Sequence, residues 1–184
     1  MILGIDPGAS GGFAWRNGAL PAAMKMPDGE AAVLEALQEL TESSDDGQHI
    51  CYIEKVGGFT GKPQPGARMF TFGRGFGFLL GVLMTLKWEV HLVTPQKWQR
   101  AAGLGTKGTR TPAEWKRTLR DEAARLYPEQ KVTLATADAL LILEYARGQK
   151  HGARLVDVLA CRHAWEELPD GTKICFECDA KQTK

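Results

Sequence analysis

The sequence predicts an α/β domain built on a mixed five-stranded sheet flanked by helices, with a small C-terminal appendage. Three observations predict it. Two short apolar runs, Met1 to Asp6 and Gly12 to Arg16, are separated only by a Gly-rich turn, which makes them antiparallel neighbours. A helical pattern then precedes the next apolar run, Gln48 to Glu54, so that strand returns as a parallel crossover beside the first. Both Met1 to Asp6 and Gln48 to Glu54 end in a carboxylate, which is costly at the end of a buried strand unless something holds it.

Leu20 to Met26 completes a three-strand meander. Val33, Leu34, Leu37 and Leu40 follow Asp28 at helical spacing, with Asp28 or a neighbour as the expected cap. The helix ends in the polar loop Ser43 to Gly47. Past Glu54, Lys55 to Gly66 is too rich in Gly and Pro for regular structure and reads as an exposed loop carrying Lys55, Phe59 and Lys62. From about Arg68 to Met84 the pattern is helical, with Gly73, Gly77 and Gly81 on one face. Such a face admits another backbone closely, either a second copy of the chain or its own sheet. Gly73-Arg74-Gly75-Phe76-Gly77 lies inside this pattern rather than between strand and helix, so it is not read as a nucleotide loop. Glu89 to Val93 is the fifth strand, followed by a short helix at Thr94-Pro95 with Thr94 as its cap. Thr111-Pro112-Ala113-Glu114 is a capping box opening a helix that Pro128 stops after Tyr127. Thr136 to Gln149 is an apolar helix with one acid, Asp138, in its first turn, placed there either as a dipole partner or facing inward.

Composition sets the outer bounds. The 184 residues are 43% apolar and 24% charged, enough for one domain with a core plus a small unit. A net charge of +1 gives no global signal for nucleic acid. The stretch Lys97 to Arg120 nevertheless holds Lys97, Arg100, Lys107, Arg110, Lys116, Arg117 and Arg120 against Glu114 alone, and such a stretch can follow a phosphate backbone. The N-terminus lacks a basic start and meets Asp6 too early for a signal peptide, and no run reaches the roughly 20 apolar residues of a membrane span. The expectation is a cytoplasmic protein of a bacterial or phage-infected cell, with no membrane partner and with cysteines free or metal-bound.

Asp6 and Glu54 on adjacent parallel strands, with Asp138 at the start of the last helix, can meet at one sheet edge. Three close carboxylates repel, so they call for divalent cations, and hard oxygen ligands suit Mg²⁺ or Mn²⁺. A pair of such ions can hydrolyse a phosphodiester. Taken alone, Asp6 also reads as a turn cap bonding its own backbone.

These residues carry a resemblance. Gly4-Ile5-Asp6-Pro7-Gly8, Ile53-Glu54-Lys55-Val56, Val93-Thr94-Pro95-Gln96-Lys97-Trp98 and Ala137-Asp138-Ala139-Leu140-Leu141 stand in the order found in the RuvC-type Holliday junction resolvases of the RNase H-like superfamily, in the form often carried by phages. The chain resembles that family over about residues 1 to 148. The resemblance implies an RNase H-like fold and a crossover junction endodeoxyribonuclease in which Asp6, Glu54 and Asp138 hold two Mg²⁺ or Mn²⁺ ions. It also implies a homodimer that sets two such sites on opposing strands of a four-way DNA junction, without a nucleotide cofactor. Phe59 falls near the family's aromatic wedge, whose other reading is a loop Phe folded onto the core. Lys107, Lys116 and Arg120 match basic residues before the last helix, with Lys55, Lys62 and Arg74 as further DNA-contact candidates, or else these are solvated charges. The pattern departs at Ala135, where members usually carry an acid or His; either Thr136, a water or the substrate phosphate completes the shell, or metal affinity is reduced.

Residues 151 to 184 form the appendage beside a nuclease domain of residues 1 to 150. Cys161, His163, Cys175 and Cys178 flank a hairpin around Pro169-Asp170-Gly171, and a hairpin brings both pairs to one end as a zinc-ribbon-like Cys₃His set for one structural Zn²⁺ per chain. The other reading is free thiols in a disordered tail. Two readings rival the nuclease, one of them another enzyme. An actin-like or sugar-kinase ATPase needs more length than this. A non-catalytic junction- or DNA-binding protein of RNase H-like fold draws support from Ala135.

Overall fold

The computed structural model describes residues 1–18, 20–44, 47–56 and 65–149, and the backbone of 165–167, 173–175 and 181–182. The chain divides into two compact units, residues 1–149 and 150–184. In the first, strands β1 (Ile2–Asp6), β2 (Gly12–Arg16), β3 (Pro21–Lys25), β4 (Ile50–Glu54) and β5 (Glu89–Val93) form one sheet in the order β3-β2-β1-β4-β5. β1 pairs antiparallel with β2 and parallel with β4; β4 pairs parallel with β5. The mixed sheet expected from the Gly-rich turn and the crossover helix is thus observed.

Helices α1 (Glu30–Glu42), α2 (Gly66–Thr85), α3 (Pro95–Ala101), α4 (Pro112–Leu126) and α5 (Ala137–Gly148) flank it. Period-2 alternation divides the work of the strands. Leu3, Ile5, Cys51 and Ile53 are fully buried on one face. On the other lie Gly4, Asp6, Tyr52 and Glu54, and across this face runs α5, buried along nearly its whole length. The reason α5 can lie so close is Gly4: a Cβ there would stand 2.6 Å from the Ala139 carbonyl oxygen and from the Leu143 nitrogen. Trp115, Leu119 and Ala123 of α4 complete this side of the core against Leu140, Leu141 and Leu143.

The helix caps divide. At α4 the capping box forms as read: Thr111 Oγ1 accepts from the Glu114 N–H at 3.3 Å, and Glu114 Oε2 accepts from the Thr111 N–H at 2.7 Å. At α1 the cap position is Gly29, at φ 90°, with no side chain to accept a bond, and Asp28 instead pairs with Lys25 at 3.3 Å in solvent. Thr94 does precede α3, but its hydroxyl caps nothing; Pro95 at the first turn removes one donor that would need it. α2 starts at Gly66, two residues before the helical periodicity does.

Along α2, Gly73, Gly77 and Gly81 face open space, with no described atom within 4 Å of a Cβ built at any of them. Packing of this face on the chain's own sheet is therefore not what the glycines serve. In the second unit β6 (Trp165–Glu167), β7 (Lys173–Cys175) and β8 (Lys181–Gln182) form a three-stranded antiparallel sheet. The expected hairpin is present, with Trp165 opposite Cys175. Phe59, Lys62, Cys161, His163 and Cys178 lie outside the described residues, as does the side chain of Cys175, so the wedge and the zinc set find no support here. Among the described residues no helix is long and apolar enough to cross a membrane.

Candidate active site

Register brings the first two carboxylates together. Ile5 pairs with Ile53 in parallel, so the residues that follow, Asp6 and Glu54, end adjacent strands on the same face. That face is the one α5 crosses, and Asp138 in its first turn is buried, 6% exposed, facing inward rather than serving only the helix dipole. Gly11 makes room for the first acid, since a Cβ there would sit 2.5 Å from the Asp6 carboxyl carbon.

Each carboxylate has a distinct setting. Asp6 Oδ1 accepts from the Gly8 N–H at 3.3 Å, so the turn-capping role read from Pro7 and Gly8 coexists with its place in the site. Burial, and then repulsion from Asp138, push the Asp6 pKa above its ordinary value. Glu54 Oε2 accepts from the indole N–H of Trp98 at 3.0 Å. Burial first and Asp6 second raise the Glu54 pKa to about 7, against the opposing pull of the Trp98 bond. Asp138 Oδ2 is held by the ammonium of Lys116, from α4. Its Oδ1 is buried with no hydrogen-bond partner among the described residues. Burial alone would lower the Lys116 pKa, but Asp138, Asp6 and Glu54 together outweigh it and raise it.

The donor set is therefore all oxygen, short of positive charge and left with one orphaned buried acceptor. This fits a hard divalent cation. The two-ion site that the resemblance implies is not itself seen: among the described residues no three His, Cys, Asp or Glu side chains are gathered tightly enough to hold a metal ion. Lys116 engages one oxygen of Asp138.

At the departure point, Ala135 offers no side-chain ligand. Thr136, considered as a substitute, has its hydroxyl engaged with the Thr133 N–H at 3.0 Å and with the Thr133 hydroxyl at 3.1 Å, so it closes the turn before α5 instead. Arg74 pairs with Glu30 at 2.8 Å and Arg120 with Asp121 at 2.6 Å, both partly exposed, while Lys107 is exposed in the loop before α4. Lys55 continues β4, its N–H donating to the Val93 carbonyl at 2.7 Å. Trp98 entered the sequence reading only as the last residue of the motif Val93 to Trp98, with no contact assigned to it; a Trp one turn into a Pro-started helix, just past the strand beside Glu54, was the available signal for its bond to that acid. A separate cavity of about 550 Å³ between the β1–β2 loop, α1 and α2, lined by Pro7, Met26, Val33, Phe72 and Phe78 among others, contains none of the three acids.

No protein-family model and no curated protein matches the chain. Solved structures do. It is similar to a Thermus thermophilus RuvC structure, with 17% identity over 78% of this chain and 91% of that one, at a TM-score of 0.51. It is also similar to T. thermophilus RuvC in complex with Holliday junction substrate, with 15% identity over 78% and 90%, at a TM-score of 0.50. The likeness shows that this protein has the fold of RuvC.

Proposed function

We propose that this protein is a structure-selective endodeoxyribonuclease that hydrolyses phosphodiesters in four-way DNA junctions with the help of divalent metal ions. The observation that carries this reading is that Asp6 and Glu54 end adjacent strands on the face that α5 crosses, near enough to Asp138 and its orphaned oxygen for both aspartates to raise the Glu54 pKa, on a RuvC fold. The Gly8 N–H orients Asp6, the Trp98 indole orients Glu54, and Lys116 orients Asp138, so the three acids are aimed before any ligand arrives. Asp6, Glu54 and Asp138 would hold Mg²⁺ or Mn²⁺, which when bound would supply activation of the attacking water and neutralisation of charge at the phosphoryl group.

The exposed α2 face supports a homodimer. Phe70, Gly73, Gly77, Gly81 and Met84 fall on one side of the helix; Phe70 is 73% and Met84 43% exposed, with open space over the glycines between. An apolar face around a flat glycine strip fits a second copy of the same helix, which would set two sites against one junction. Lys55, Phe59, Lys62, Arg74, Lys107 and Arg120 are the DNA contacts in this reading, Phe59 stacking on a base at the junction centre, while Lys116, a candidate from the sequence, is taken up by Asp138. Cys161, His163, Cys175 and Cys178 hold one Zn²⁺; the β6–β7 register sets Cys175 at the open end of the hairpin, beyond which the other three lie in sequence.

Cleavage of a labelled four-way junction beside a linear duplex, with and without Mg²⁺, tests the function. Junction cutting that needs Mg²⁺ and is lost in Asp138→Asn, with junction binding retained, is the expected result. Ala135 favours a second reading, a junction-binding protein without catalysis, and tight binding with no cutting under any metal would establish it instead.

A further inference from the structure

Two observations at the same place bear on how many metal ions the site holds: Ala135 supplies no side-chain ligand, and Lys116 is bound to Asp138. We propose that the Lys116 ammonium is a resident cation of the site, standing where a second divalent ion would engage Asp138, so that each chain holds a single divalent ion there. This rests on the metal-dependent nuclease reading above and refines it.

Charge makes the first argument. Asp6, Glu54 and Asp138 bring three negative charges when ionised, and Lys116 offsets one of them. One divalent ion neutralises the remainder, whereas two would leave the pocket with an excess of two positive charges before any phosphate enters. Buried charge is tolerated only when balanced.

Ligand supply makes the second. Asp138 Oδ2 is engaged by Lys116 and only Oδ1 is without a partner. Glu54 Oε2 already accepts from Trp98, and Asp6 Oδ1 from Gly8. The Thr136 hydroxyl is tied to Thr133. With Asp138 Oδ2 taken by Lys116, what remains suits one hard ion completed by water and substrate oxygen, in the manner of Mg²⁺, and Oδ2 is the oxygen that loss of the Lys116 charge returns to a second ion.

The third argument is that Lys116 is placed by structure. It follows Trp115, buried in the α4–α5 core, and lies in the second turn of a helix whose start is fixed by the Thr111–Glu114 capping box. Its side chain is 45% exposed, yet the head reaches the 8%-exposed carboxylate of Asp138. A lysine stem lying along an apolar surface with its charge at the far end does this without strain.

The test is Mn²⁺ binding to the full-length protein, read by loss of the free-ion paramagnetic resonance signal and by titration calorimetry. The unmodified protein is expected to take up one ion per chain, removed by Asp138→Asn or weakened at least tenfold. Lys116→Met, which keeps the stem and loses the charge, is expected to take up two, and Lys116→Arg one. Melting curves confirm that each variant is folded, and a merely structural lysine would move these without changing the ion count. Two ions of similar affinity in the unmodified protein, or one in Lys116→Met, overturn the proposal. With two ions and Mg²⁺-dependent junction cutting, the nuclease reading stands while the resident cation falls; with no bound ion, both fall.

Discussion

Replacing Glu54 by Gln should stabilise the metal-free protein at alkaline pH, although it removes a group central to the proposed chemistry. Glu54 has its pKa raised from the ordinary 4.5 to about 7 by burial and by Asp6. Between those two values the folded state holds a proton that the unfolded state has released, so stability falls as pH rises through this window. Below pH 4.5 there is no cost, and above pH 7 it is complete. At about 1.36 kcal/mol per pH unit, the gap is worth roughly 3 kcal/mol. Gln mimics the protonated acid and still offers Trp98 an acceptor, so its variant does not bear this cost. For a chain of this size, about 2–4 °C of melting temperature per kcal/mol gives a gain of about 6–12 °C at pH 8.5 in a chelator. At pH 4.5 the gain should nearly vanish. Added Mg²⁺ should raise the melting temperature of the unmodified protein more than that of Glu54→Gln, because cation binding relieves the same repulsion. Equal or lower stability of the variant at pH 8.5 would refute the reasoning, and with it the claim that Glu54 is ionised at a cost beside Asp6.

Three further outcomes are expected. Gly4→Ala should lower the melting temperature sharply, because its methyl would collide with the backbone of α5 and not with a side chain that can turn aside; a fall of less than about 3 °C would show that α5 can retreat. Light scattering at micromolar concentration should give twice the chain mass, and Gly77→Glu on the exposed α2 face should give the single mass with an unchanged melting curve at low concentration. Metal analysis of protein purified without added zinc should find one Zn²⁺ per chain, lost together with Cys178→Ser; four freely titrating thiols and no zinc would leave the appendage without its brace.

Local pattern made a good part of this protein legible. Apolar runs ending in Asp6 and Glu54, the Gly-rich turn between β1 and β2, and the helix before β4 sufficed for the order β3-β2-β1-β4, because strand period and crossover handedness are local or nearest-neighbour properties, whereas the place of β5 beside β4 came only with the structure. The Thr111–Glu114 capping box was legible for the same reason, its two partners being three residues apart. Where a cap depended on the path of the chain, as at Gly29 and Thr94, side-chain preference gave way to backbone geometry. The acids were nameable from sequence, but their partners were not. Trp98 reaches Glu54 across 44 residues and Lys116 reaches Asp138 across 22. Neither spacing has a period, because each contact exists only once α3 and α4 are packed against the sheet and α5. A sequence shows which groups carry charge and where strands end. Only the tertiary structure decides which charge stands against which, because electrostatic energy depends on distance through space and on burial, and both are set by packing between elements far apart in the chain.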